Sequence, residues 1–154
     1  MEQKSRTLLR EIGSAVIRYR EVYRDWCRLR GIPYHEMLVF YTIREKGSCT
    51  QKEICDSYAL PKQTVHNIVR SLRAKGLLTM REGRGNRRER ILLFTEEGKR
   101  RSASLLDPLL EQECCAVNAA GPENVESAIH LLRSFTEKLR MSMIPEQEGS
   151  NERR

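Results

Sequence analysis

The chain has 154 residues, 28 Lys and Arg against 21 Asp and Glu, and a net charge of +7. With 39% hydrophobic and 32% charged residues it has the composition of a globular domain long enough to bury a core. No apolar run approaches the ~18 residues of a membrane span, the first residues lack the apolar core of a secretory leader, and Cys27, Cys49, Cys55, Cys114 and Cys115 show no repeated Cys-x-x-Cys spacing. This argues against a membrane, exported, disulfide-framed or zinc-finger protein, and the expectation is a reducing, cytoplasmic setting.

Residues 5–30 carry Leu8, Ile12, Val16, Tyr19, Tyr23 and Trp26 at three- and four-residue steps, the signature of a long amphipathic helix, which Gly31-Ile32-Pro33 ends. A second helix is predicted over 34–45, with Met37, Leu38, Tyr41 and Ile43 turned inward and Lys46-Gly47 at its close. Thr50-Gln51-Lys52-Glu53 is a capping box, in which a hydroxyl and a carboxylate satisfy the free amides of a helix start. It opens a short third helix ending near Tyr58. Pro61 suits the first position of a fourth helix that runs to Lys75 and stops at Gly76.

The fourth helix separates into two faces. Val65, Ile68, Val69 and Leu72 form an apolar stripe, and Gln63, His66, Asn67, Arg70 and Arg73 form a polar one. Residues 77–80 and 90–94 read as strands of a hairpin with a glycine- and arginine-rich tip. Thr95 caps a fifth helix whose first turn holds Glu96 and Glu97, favourable against the helix dipole, and Pro108 predicts a kink in it. Gly121-Pro122 separates it from a sixth helix bearing Val125, Ile129, Leu132, Phe135 and Leu139. The residues 145–154 have no apolar anchor and are expected to be disordered.

The charge is concentrated. Residues 61–90 hold nine basic and two acidic residues, a surplus equal to that of the whole chain. A basic segment in a neutral frame is the footprint of a polyanion partner, or a solvated basic face without one. A short helix, a turn and a two-faced helix make a helix-turn-helix, whose second helix enters the DNA major groove. Gln63 and Asn67 have the groups to bond adenine. Lys62 and Arg70 suit guanine or phosphate, Thr64 a thymine methyl, and His66 lies on the same face. In the hairpin tip, Arg84, Arg87 and Arg88 suit a narrow, electronegative minor groove. The fold class expected is mainly α with a small β-hairpin wing: a winged helix-turn-helix.

Thr64-Val65, Ile68-Val69, Leu72 and Lys75-Gly76-Leu77, followed by a wing and by Phe94-Thr95-Glu96-Glu97-Gly98, resemble the MarR family of bacterial transcriptional regulators. The resemblance spans about residues 5–141. One departure lies in the wing, where the family's Asp-x-Arg reads Asn86-Arg87-Arg88: Arg88 matches the minor-groove arginine, and the steadying Asp is replaced by Asn86. The resemblance implies a single domain over 1–154, with dimerisation helices at 5–30 and 96–143 flanking a winged helix-turn-helix at 33–95. It further implies a homodimer on a roughly palindromic operator of double-stranded DNA, repressing by occlusion and released by a small molecule or an oxidant.

In such proteins the effector pocket lies between the dimerisation helices and the winged domain, which makes Tyr19, Tyr23, Trp26, Tyr34 and His35 the candidate lining; the same aromatics serve equally as core. Cys27, beside Arg24, Arg28 and Arg30, is the candidate redox residue, since neighbouring cations lower a thiol pKa. No metal, cofactor or membrane partner is expected: His35, His66 and His130 form no ligand pair. Nor does the sequence hold a phosphate loop or a nucleophile-base pairing that would make it an enzyme. The competing class is a winged-helix module that binds protein through the same polar face.

Overall fold

A computed structural model describes residues 2–83 and 90–144. In chain order the elements are α1 (Glu2–Leu29), α2 (Tyr34–Lys46), β1 (Cys49–Thr50), α3 (Gln51–Tyr58), α4 (Lys62–Ala74), β2 (Leu78–Glu82), β3 (Arg90–Phe94), α5 (Glu96–Ala120) and α6 (Pro122–Met143). The expected class is therefore the observed one, with six helices and a small antiparallel sheet among the described residues. Sequence patterning treats 1–154 as one domain; spatially, one compact unit ends at Asp107 and a second begins at Pro108. Pro108 lies inside α5, where it lacks the amide that would bond the preceding turn.

In the first unit α2 is the central element, packed against α1, α3, α4 and the sheet. Met37, Leu38, Val39, Phe40 and Ile43 are all buried. Val39 and Phe40 thus extend the predicted inward set, and Tyr41 is only half-buried. A helix apolar around most of its circumference must be covered on most sides, which a single-face reading misses. Ile54, Val65, Leu72, Leu92 and Leu106 complete this core, and Phe40 stacks on Phe94 with ring centroids 5.5 Å apart.

The sheet has strand order β1-β3-β2. β2 pairs with β3 from Leu78↔Phe94 to Glu82↔Arg90, where Arg90 and Glu82 also form an ion pair at 3.1 Å. β1 pairs as Cys49↔Leu92 and Thr50↔Ile91. This third strand has no signature in the sequence, because two residues carry no periodicity. The residues 84–89 of the hairpin tip and 145–154 of the tail, with the expectations placed on them, lie outside the described residues.

Candidate nucleic-acid interface

The helix-turn-helix is built from local chemistry. Thr50 Oγ1 accepts from the Glu53 amide at 3.1 Å and Glu53 Oε2 accepts from the Thr50 amide at 2.7 Å, forming the predicted capping box. That hydrogen bond from Thr50, together with Lys46, holds the Glu53 carboxyl below the usual glutamate range. α3 ends at Ala59, in the left-handed region at φ 50°, and the Leu60 amide closes the turn on the Cys55 carbonyl at 3.1 Å. Pro61 is the N-cap of α4, one residue earlier than predicted, and its carbonyl accepts from Val65 at 3.2 Å. α4 ends in a Schellman motif: Leu77 N–H bonds Leu72 O at 3.0 Å, Gly76 N–H bonds Arg73 O at 2.9 Å, and Gly76 takes φ 71°.

This geometry turns α4 so that Val65, Val69 and Leu72 are buried while Lys62, Gln63, His66, Asn67, Arg70 and Arg73 are exposed along the opposite face. Thr64 and Ile68 are half-buried at the border. Asn67 Oδ1 accepts from Gln63 Nε2 at 3.1 Å and from Arg70 Nη2 at 3.4 Å, so three predicted readers form one hydrogen-bonded row. α4 contains no acidic residue, and Lys62 stands in its first turn, where the helix dipole disfavours a cation.

A cleft of ≈ 600 Å³ between α3 and α4 brings Gln51 and Lys52 beside Lys62, Gln63 and His66. Asp56 lines the same cleft, and sequence reasoning assigns neither Gln51 nor Lys52 to this surface.

Of the five aromatic residues expected to line an effector cavity, Tyr34 and His35 share a groove, and Tyr19 and Tyr23 pair with each other. Tyr34 and His35 line a groove of ≈ 420 Å³ with Arg24, Thr64, Asn67 and Ile68. The Arg24 guanidinium lies 5.6 Å from the centre of the Tyr34 ring. Tyr19, Tyr23 and Trp26 are not among the groove's lining residues. Tyr19 is exposed and bonds Tyr23 hydroxyl to hydroxyl at 3.1 Å, and Trp26 is covered by Arg30 at 4.1 Å. A helical stripe fixes which residues share a face but not what that face meets.

The surroundings of Cys27 act against the lowered thiol pKa expected from its neighbouring arginines. Its side chain is buried, and that burial raises the thiol pKa; Arg30 opposes the shift without reversing it. Sequence neighbours on a helix count for less than loss of water around the sulfur. Cys49 and Cys55 are buried packing residues, and burial with the nearby Glu53 pushes the Cys49 thiol up to about 11. Among the described residues no cluster of His, Cys, Asp and Glu is arranged to hold a metal ion, and no helix is long and apolar enough to cross a membrane.

The residues 30–89 match a family model described as MarR family. The chain is 26% identical over 108 residues to the uncharacterized HTH-type transcriptional regulator YwoH of Bacillus subtilis (strain 168), covering 70% of this chain and 78% of that one. Its fold matches a MarR family regulator from Neisseria meningitidis with a TM-score of 0.79 at 29% identity, over 88% of this chain and 96% of the other. Bordetella bronchiseptica BpsR, whose DNA binding is regulated by 6-hydroxynicotinic acid, shares the fold with a TM-score of 0.60 at 21% identity, over 84% and 91% of the two chains.

Proposed function

We propose that the chain, by its similarity to MarR family transcriptional regulators, is a homodimeric, sequence-specific repressor that reads a palindromic operator and is released by a small molecule or an oxidant. The observation that carries this reading is the exposed face of α4. Gln63, Asn67 and Arg70 are aligned in one hydrogen-bonded row, with Lys62 and Arg73 at its ends. Amide and guanidinium groups in a row match the donor and acceptor edges of bases in the major groove. The cation in the first turn of α4, unfavourable for the isolated helix, becomes favourable beside a phosphate. Lys52 and Gln51 extend the same surface toward the backbone. Arg84, Arg87 and Arg88, which lie outside the described residues, supply by sequence the cations that this reading assigns to the minor groove.

Unpartnered apolar surface supports the dimer. On α1, Leu8, Val16 and Ile17 are about half exposed, and α6 has no buried residue although Ile129, Leu131 and Leu132 recur along it. Amphipathic helices of this length bury such faces when a partner is present. A two-fold dimer calls for an inverted-repeat operator with half-sites ~34–36 Å apart. Binding there represses by blocking the promoter, in the cytoplasm where the chromosome lies.

The effector site we assign is the groove of Tyr34, His35 and Arg24, whose volume is within the ~300–1,000 Å³ of small-molecule sites and whose wall includes Thr64 and Asn67. BpsR, with its 6-hydroxynicotinic acid, is a structural precedent for ligand control. Burial makes Cys27 a poor oxidant sensor, whereas Cys114 and Cys115 are exposed and leave an oxidant as the alternative signal.

Selection of bound duplexes from a random-sequence pool, combined with the mass of the protein in solution, tests the proposal. An enriched inverted repeat and a dimeric mass are expected. A pool that stays random would overturn the operator reading and favour a protein-binding module.

A further inference from the structure

We infer that Thr95 is a positioning residue for DNA recognition: its hydroxyl ties the end of the recognition helix α4 to the start of α5, so that the placement of α5 sets the placement of α4. The inference rests on the DNA-binding reading above.

Three contacts make the tie. Thr95 Oγ1 donates to the Gly76 carbonyl at 2.6 Å, across 19 residues of sequence. The Thr95 amide donates to the Leu77 carbonyl at 3.1 Å. Gly98 packs so closely on Leu77 that a Cβ there would run into its carbonyl oxygen. The obstacle is backbone, which cannot step aside, so glycine is required by proximity rather than by torsion.

The Thr95 hydroxyl has two separable roles. Accepting from the Gly98 amide at 3.0 Å is ordinary capping of a helix start. Donating to Gly76 is not needed for capping; it holds the residue that closes α4. The joint is braced on both sides, by Phe94 stacked on the central Phe40 and by Lys75 paired with Glu36 of α2 at 3.6 Å. The other end of α4 has no side-chain cap at Pro61. The recognition helix is thus tied to α5 at its C-terminal end, while its N-terminal half packs on α3 and α2.

The roles separate chemically. Thr95→Ser keeps donor and acceptor. Thr95→Asp keeps the cap, because a carboxylate accepts from Gly98, but it has no proton to give Gly76. The test compares wild type and both variants on three duplexes: the selected operator, a duplex with one half-site, and an operator with one base pair inserted between half-sites. Thermal melting of each protein is followed in parallel. T95S should match wild type throughout. T95D should melt within a few degrees of wild type and bind the half-site within about twofold. It should lose about tenfold on the full operator, a part of the ~10²–10⁴ that linked binding contributes, and should discriminate less against the inserted base pair. Wild-type spacing preference retained in T95D, or an equal loss on half-site and operator, would overturn the inference while leaving the regulator reading intact. A wild-type protein that prefers no duplex would overturn both.

Discussion

Gln63 Nε2 donates to Asn67 Oδ1 at 3.1 Å, one helical turn along the exposed face of α4. Arg70 donates to the same oxygen from the next turn. The row occupies Oδ1, the only side-chain acceptor of Asn67, and leaves its amide donors, the Gln63 carbonyl and the remaining Arg70 N–H groups for other partners. Holding long side chains in one arrangement before binding reduces the entropy lost when they meet bases.

Asn67→Ala is expected to relax base preference by ~1–3 kcal/mol at one position in each half-site. It also frees Gln63 and Arg70 from their shared acceptor, so a smaller loss should appear at the neighbouring positions. Binding to a panel of single-base operator variants measures both. A loss equal on every duplex would place Asn67 on phosphate.

Lys52→Ala should behave differently. At the start of α3 and beside Lys62, it is placed for phosphate. Its removal should weaken specific and scrambled duplexes alike and lower the slope of log K against log salt by ~0.9 for each phosphate that is no longer neutralised. An unchanged slope would remove Lys52 from the interface.

Cys27, Cys49 and Cys55 should resist a thiol reagent in the folded protein and label on denaturation, because all three are buried and burial raises the Cys27 and Cys49 thiols. Mass mapping of labelled peptides after a short pulse checks this. Rapid labelling of Cys27 would restore it as an oxidant sensor.

The capping box predicts acid sensitivity. The folded carboxyl of Glu53 is lowered, first by the Thr50 amide and then by Lys46, so between its lowered value and the ordinary glutamate range the unfolded chain binds more protons. Its contribution to stability is therefore present above that ordinary range and is lost as pH falls through the lowered value. Melting temperature measured against pH should drop across this window, and Glu53→Gln should flatten that part of the curve. An identical acid limb in E53Q would mean that other carboxylates dominate.

What is legible in the sequence is local or periodic. The Thr50–Glu53 box, the two faces of α4 and the glycine stop at Gly76 each depend on residues within a turn or two, and the structure has all three. β1 is hidden because two residues have no period, and its partner Leu92 lies some forty residues away. The Thr95–Gly76 tie is hidden by the same kind of separation. Periodicity on α1 identifies an apolar stripe without saying what covers it: Leu8 and Tyr19 are on that stripe and exposed, while Cys27 just beside it is buried. The groove joining Tyr34 to Asn67 depends on how α2 meets α4, which no local pattern encodes.

The most direct test of the central claim is fluorescence-anisotropy binding of the full-length protein to its selected operator and to a scrambled duplex of equal length, over a salt series. The account predicts a specificity ratio above ~10³ for the operator and a steep fall in affinity with salt on both duplexes. Equal affinity for the two duplexes at every salt concentration would contradict it, because the Gln63–Asn67–Arg70 row would then be reading nothing.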